Sequence, residues 1–86
     1  MYKKINSREI TKNIVELLIS KGVPRGRINS KYNFVKSKDL DSLNIILFII
    51  DIENKFSIKF KKKDLFKKNF QNIQGLSKIV ENIMKI

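Results

Sequence analysis

The sequence predicts a small all-α protein, a four-helix bundle with three longer helices, one short helix and a long first loop. Its 86 residues are the size of one domain, which spans 1–86. Apolar residues recur at helical spacing in three stretches, and turn-forming residues separate these stretches. The content of 42% hydrophobic and 31% charged residues is typical of a soluble globular chain.

The first and last of the longer helices are predicted from a capping residue and an apolar stripe. Asn6 is the expected N-cap of a helix over 6–20, which Gly22 ends. Asn72 is the expected N-cap of a helix over 71–85. The stripes that these helices should bury are Ile10, Ile14, Leu17 and Leu18 in the first, and Ile73, Leu76, Val80 and Ile83 in the last.

A long loop over 21–40 precedes the most apolar part of the chain, 41–55. The β-branched residues of 41–55 would suit a buried strand as well as a helix, but the length and the N-cap residue Asp41 favour a helix. Such a helix is apolar on most sides, so one face must be buried and another covered or used in binding. The two adjoining faces are Leu43, Ile46, Leu47 and Ile50, and Ile45, Ile49, Ile52 and Phe56.

Residues 57–70 connect the second and the last of the longer helices. We expect a short extended piece over 57–60, followed by a brief helix around 63–68. Apolar side chains in this segment should complete the small core that the three longer helices form. The core contacts expected from the segment are Leu65, Phe66 and Phe70.

The residue types that are missing exclude most catalytic chemistry. The chain has no Cys and no His, which excludes disulfides, thiolate nucleophiles, cysteine-ligated zinc and the commonest general base. The longest apolar run, 45–50, is far shorter than the ~18 residues of a membrane span, and the N-terminus lacks the apolar core of a secretory signal. We therefore expect a cytoplasmic protein that is not an enzyme.

The net charge of +11 has two explanations, which the sequence alone leaves open. A polyanionic partner would explain it, which makes a basic helical nucleic-acid-binding module the alternative function. An A/T-rich genome would also explain it, because 16 Lys, 15 Ile and 9 Asn all have A/T-rich codons. Only 3 residues are Arg, the side chain that nucleic-acid readers favour, so we expect no nucleic-acid partner.

The triplet Asp41-Ser42-Leu43 stands after the long loop, at the start of the second helix. In this position it resembles the Asp-Ser-Leu motif of the acyl carrier protein family, whose serine bears 4′-phosphopantetheine. The stretches 51–58 and 65–73 are similar to the end of the second helix and to the third helix and following turn of stand-alone carriers. For modification, the Ser42 hydroxyl must be exposed near the unpaired N–H groups of the first turn, where a phosphate is favoured.

The resemblance implies an acyl-carrier type of bundle with no catalytic residue. A phosphopantetheinyl transferase would move the arm from coenzyme A to Ser42, and the arm would hold an acyl or aminoacyl group as a thioester. Asp41 would cap the helix and aid recognition by the transferase, and Leu43 would anchor the turn in the core. Loading and transferring enzymes of fatty-acid or specialised biosynthesis would dock on the second helix of a monomeric carrier. The partner-binding residues expected there are Asn44, Leu47, Phe48 and Asp51.

The charge departs from the usual pattern of that family. Fatty-acid carriers are strongly acidic, with carboxylates along the second helix that meet basic patches on partner enzymes. Here only Asp51 and Glu53 remain, at the end of that helix, and lysines follow it. Because charge complementarity selects partners, we expect either partners that have co-adapted or a specialised carrier, for which an aminoacyl cargo is one option.

Overall fold

The computed structural model describes residues 6–85, which form an all-α bundle, as the sequence predicts. Its helices are α1 (Ser7–Ser20), α2 (Ser42–Phe56), the single-turn α3 (Lys62–Leu65) and α4 (Ile73–Met84), and no β-strand occurs in the described range. None of these helices has the length and apolar content needed to cross a bilayer. Two short 3₁₀ turns complete the structure, at Arg25–Arg27 and Lys68–Gln71.

Side-chain caps fix the starts of the three longer helices. The side chains of Asn6, Asp41 and Asn72 each accept the backbone N–H of the residue three positions later. Each bond satisfies one of the N–H groups that a helix leaves without an internal partner. The observed helices therefore begin within two residues of the predicted positions. α2 ends where Ser57 adopts a left-handed conformation with φ of 55°.

The core lies between α1, α2 and α4, and the long loop contributes to it. α1 packs against both α4 and α2. Phe34 of the loop is fully buried, with ring centroids 5.0 Å from Phe48 and 6.2 Å from Phe70 in edge-to-face geometry. The residues that are at most 2% exposed are Ile10, Ile14, Leu18, Val23, Phe34, Phe48, Ile52, Ile73, Leu76 and Val80.

Backbone hydrogen bonds attach the long loop to the start of α4. The N–H of Ile73 donates to the Tyr32 carbonyl at 3.2 Å, and the N–H of Gln74 donates to the Ser30 carbonyl at 3.1 Å. In the opposite direction, the N–H of Phe34 donates to a carbonyl of the 3₁₀ turn that precedes α4, with an N···O distance of 3.0 Å. Carbonyls of the loop thus satisfy N–H groups in the first turn of α4, so loop and helix stabilise each other.

The segment between α2 and α4 differs from the prediction in two side chains. Phe70 is 4% exposed, as expected, but Leu65 is 44% and Phe66 is 81% exposed, so their predicted core contacts are wrong. α3 has a single turn and directs Asp64 inward, because the carboxylate accepts the N–H of Lys61 at 2.9 Å. With Asp64 on the inner side of so short a turn, the two residues that follow it lie outside.

Gly75 lies in the first turn of α4, where its lack of a side chain permits a close approach. A Cβ at this position would overlap the backbone oxygen and the Cβ of Asn69. Glycine lowers helix propensity, but here it lets the 3₁₀ turn pack directly against α4. This contact helps to place the buried ring of Phe70 against the bundle.

Candidate functional site

Ser42 is the first residue of α2 and is exposed, as modification by an external enzyme requires. Asp41 before it has the extended backbone of an N-cap, and its Oδ1 accepts the N–H of Asn44 at 2.8 Å. The Asp41 carbonyl accepts the N–H of Ile45 at 3.0 Å. Within residues 6–85, the N–H groups of Ser42 and Leu43 have no acceptor, so two unsatisfied donors belong to the turn that carries the Ser42 hydroxyl.

Ser7 has the equivalent position in α1 but a different environment. It too follows an N-cap residue, Asn6, and it too is exposed. Its hydroxyl donates to Glu81 Oε2 at 3.0 Å, so a carboxylate lies where a phosphate would have to bind. The Ser42 hydroxyl makes no hydrogen bond within the described part of the chain, and the carboxylate of Asp41 is held in the cap. The surroundings therefore favour an anionic group on Ser42 and oppose one on Ser7.

Leu43 does not anchor the turn in the core. Its side chain is 63% exposed, so the prediction that it packs inward is wrong. Phe48 and Ile52 define the buried face of α2, and at about 100° per residue Leu43 lies on roughly the opposite side of the helix. The apolar anchor of this turn is Leu40, which is 4% exposed and directly precedes the N-cap.

One of the predicted partner contacts on α2 is buried. Phe48 is 0% exposed and packs on Phe34, so its side chain cannot contact a docked protein and that expectation is wrong. Leu47, the preceding residue, is 38% exposed, and Asn44 is half-buried one turn closer to Ser42. These two side chains reach the surface and remain predicted partner contacts.

An apolar stripe runs along the exposed side of α2. Its four residues follow the i, i+3, i+4 and i+7 spacing of one helix face and are between 38% and 63% exposed. No charged side chain occurs on α2 before Asp51, so this face is both apolar and uncharged. The face is one of the two that the sequence predicts for this helix. We refer to it as the α2 stripe, which consists of Leu43, Ile46, Leu47 and Ile50.

Both acidic residues of α2 contact other groups of the protein. Asp51, the fourth predicted partner contact, is half-buried, and its Oδ2 lies 2.7 Å from the Nζ of Lys21. Glu53 is also half-buried, and its Oε2 accepts the N–H of Phe60 at 2.9 Å. A protein that docks on the exposed side of α2 therefore meets apolar side chains instead of a row of exposed carboxylates.

A hydrogen-bond network holds the part of the loop that leads to Ser42. Asp39 accepts hydrogen bonds from Arg27 Nη1 at 2.8 Å and from the Tyr32 hydroxyl at 2.7 Å. Burial raises the pKa of the Tyr32 hydroxyl above its usual value of 10.0, and the bond to Asp39 raises it further, while the bond to Ser37 lowers it. At neutral pH the hydroxyl thus stays protonated and continues to donate to Asp39.

In the described part of the chain, neither a metal-ligand cluster nor either of two cavities involves α2. Among residues 6–85, no three His, Cys, Asp or Glu side chains come together as metal ligands would. Two cavities, of about 390 and 380 Å³, lie between the segment that follows α2 and helix α4, and no residue of α2 lines either of them. In a comparison with known protein families, no family model matches the sequence.

Proposed function

We propose that this protein is a carrier that bears 4′-phosphopantetheine on the Oγ of Ser42 and holds an acyl or aminoacyl group on it as a thioester. The observation that supports this most is the exposed hydroxyl at the first position of a 15-residue helix, next to N–H groups without acceptors in the described range. The partial positive charge at the start of the helix would stabilise the phosphodiester.

The residues of the chain hold and present the arm, while the arm and the partner enzymes supply the chemistry. In the transfer, Ser42 Oγ bonds to the phosphorus that carries pantetheine in coenzyme A, and the bond from that phosphorus to the nucleotide part breaks. We assign the Oγ proton to a base of the transferase, because the chain has no His and the Oδ1 of Asp41 is already engaged by the Asn44 N–H in the cap. The bound arm then supplies the thiol that the chain lacks.

The α2 stripe is the docking surface that this function requires beside Ser42. The stripe spans seven residue steps, which is about 10 Å of helix. A protein that covers only this stripe therefore buries far less than the ~800 Å² that each partner buries in a stable complex. A small apolar contact of this kind suits brief encounters with several enzymes in turn. The like charges of two copies also oppose self-association through the stripe, given the net charge of +11.

The proposal predicts covalent modification at one hydroxyl. Incubation with coenzyme A and a broad-specificity phosphopantetheinyl transferase should raise the intact mass of the wild-type protein by one phosphopantetheine. Ser42→Ala should remain unmodified, because no other hydroxyl of residues 6–85 has the same environment. Ser7→Ala is the matched control, since Ser7 is the other exposed serine directly after an N-cap, and this variant should be modified at the wild-type rate.

Two results would contradict the site assignment. One is uptake of the arm by Ser42→Ala, and the other is loss of uptake in Ser7→Ala. A wild-type protein that is folded by circular dichroism but takes up no arm from the transferase would contradict the carrier function itself.

A further inference from the structure

The segment 59–68 presents a dense positive charge to solvent. Its lysines are all exposed, whereas Asp64, its only acidic residue, is 5% exposed. The Asp64 Oδ1 lies 3.6 Å from the Nζ of Lys67, and its Oδ2 accepts the Lys61 N–H. The outer surface of the segment thus carries ammonium groups without an exposed carboxylate. We call 59–68 the lysine segment, and its lysines are Lys59, Lys61, Lys62, Lys63, Lys67 and Lys68.

Two exposed apolar side chains lie in the middle of the lysine segment. Phe66 is 81% exposed and Leu65 is 44% exposed, although side chains of these types are usually buried. Lysines precede the pair at 61–63 and follow it at 67–68. An apolar tip with cations on both sides is the pattern of an interfacial anchor, in which apolar groups enter the acyl boundary and ammonium groups stay among the headgroups.

A basic cavity lies beside this tip. It has a volume of about 390 Å³, and it is lined by four lysines and by Asp64 of the lysine segment, together with Ile79 and Ile83 of α4. A second cavity, of about 380 Å³, shares Lys67 and Ile79 with the first and adds Lys78. The two cavities follow α4 and offer several ammonium groups to phosphate oxygens. The lysines of the first cavity are Lys59, Lys61, Lys63 and Lys67.

We propose that the lysine segment binds the surface of an anionic lipid bilayer. Leu65 and Phe66 insert at the level of the headgroups, and the surrounding lysines contact lipid phosphates and carboxylates. Phe66 has an aromatic face on which a base can stack, but Leu65 beside it has none and the segment contains no Arg, so the pair favours lipid over nucleic acid. Six lysines near a negative surface suffice for reversible peripheral binding. This binding does not depend on Ser42.

Insertion of the tip can be measured with a single fluorescent reporter. The chain has no Trp and two Tyr, so with excitation that is selective for Trp the emission of Phe66→Trp reports on this position alone. Vesicles of phosphatidylserine and phosphatidylcholine should shift its emission to the blue, whereas vesicles of phosphatidylcholine alone should not. The matched control is Ile46→Trp on the α2 stripe, a position that is 54% exposed, and its emission should not change.

The charge requirement can be measured by sedimentation with the same vesicles. Lys62→Gln combined with Lys63→Gln should weaken partitioning on the order of 25-fold, about fivefold for each lysine. Arg8→Gln combined with Lys12→Gln removes the same charge from an exposed face of α1 and should cause a much smaller loss. Phe66→Ser, which keeps every lysine, should weaken partitioning about tenfold. Thermal unfolding of each variant verifies that it is folded.

Three results would overturn the proposal. The first is equal loss of partitioning in the two double variants, which would mean that net charge alone drives the association. The second is a blue shift of Ile46→Trp that equals that of Phe66→Trp. The third is no binding of the folded protein to anionic vesicles; binding of a single-stranded RNA homopolymer through the lysine segment would then identify a nucleic-acid surface.

Discussion

At the scale of single residues, the candidate site depends on the division of roles between Ser42 and Asp41. The serine contributes an exposed hydroxyl, and the aspartate keeps the helix start in place by accepting the Asn44 N–H. A carboxylate is not needed for a cap, because Asn caps helices about as well as Asp. If Asp41 also aids recognition by the transferase, it does so through its charge. The capping role and the recognition role can therefore be measured separately.

Substitutions of Asp41 should separate these two roles. Asp41→Ala removes the acceptor and should lower the free energy of unfolding by about 1 kcal/mol in urea denaturation. Asp41→Asn keeps an acceptor and should retain stability within a few tenths of a kcal/mol. If the charge aids recognition, Asp41→Asn should still be modified at Ser42 more slowly than the wild type. An Asn variant with both wild-type stability and wild-type rate would limit Asp41 to its role as a cap.

At the scale of elements, local signals in the sequence predict the helices well. The caps Asn6, Asp41 and Asn72 act over three residues, so the sequence around each one already contains the whole interaction. The exposed position of Ser42 follows from the same local geometry, because the first turn of a helix leaves its hydroxyl outside. The helix starts and the exposure of Ser42 could therefore be predicted without knowledge of tertiary contacts.

The choice of the buried face of α2 could not be predicted from local signals. Both faces of this helix are apolar, and the contact of Phe48 with Phe34, fourteen residues earlier in the chain, selects the buried one. That selection leaves Leu43 outside and Phe48 inside, the reverse of what the resemblance implied. Similarly, Phe66 is exposed because the single turn of α3 directs Asp64 inward. The error on α2 concerns a contact that is distant in sequence, whereas the error on α3 arises from a hydrogen bond between residues only three positions apart.

Neighbouring residues of α2 should respond very differently to substitution. Phe48→Ala removes a fully buried ring and should lower the free energy of unfolding by about 3–5 kcal/mol. Leu47→Ala, on the exposed side, should change it by less than about 0.5 kcal/mol but should slow modification of Ser42 if the α2 stripe is the docking surface. Urea denaturation and the rate of mass increase measure the two effects. Wild-type modification of Leu47→Ala and of Ile46→Ser would exclude the stripe from docking.

At the scale of the whole molecule, nearly all of the negative charge is engaged while most of the positive charge is not. Among residues 6–85, ion pairs involve only four basic residues, Lys21, Arg25, Arg27 and Lys67. Seven of the eight acidic residues contact a cation, a hydroxyl or a backbone N–H, namely Glu16, Asp39, Asp41, Asp51, Glu53, Asp64 and Glu81. The surface of the folded protein is thus dominated by repulsion between lysines.

This imbalance predicts that salt stabilises the fold. Sodium chloride shortens the screening length from ~30 Å at 0.01 M to ~3 Å at 1 M, which weakens repulsion among the lysines. Screening also weakens the ion pairs, but the one that is exposed on both sides, Arg25 with Glu16, contributes only about 0–1 kcal/mol, and the other three are partly buried and are therefore screened less. The melting temperature should therefore rise by several degrees, which corresponds to a gain on the order of 1 kcal/mol in the free energy of unfolding. A melting temperature that falls as sodium chloride is added would show that the ion pairs outweigh the repulsion.

The backbone bonds between the long loop and the start of α4 also limit how the proposed carrier can deliver its cargo. The loop that leads to Ser42 is tied to α4 at Tyr32 and Ser30, and Leu40 is buried directly before the helix cap. A group attached to Ser42 would therefore pivot about a stationary point. Its reach would equal the length of the arm, and each enzyme that receives the cargo would have to bring its catalytic centre within that radius.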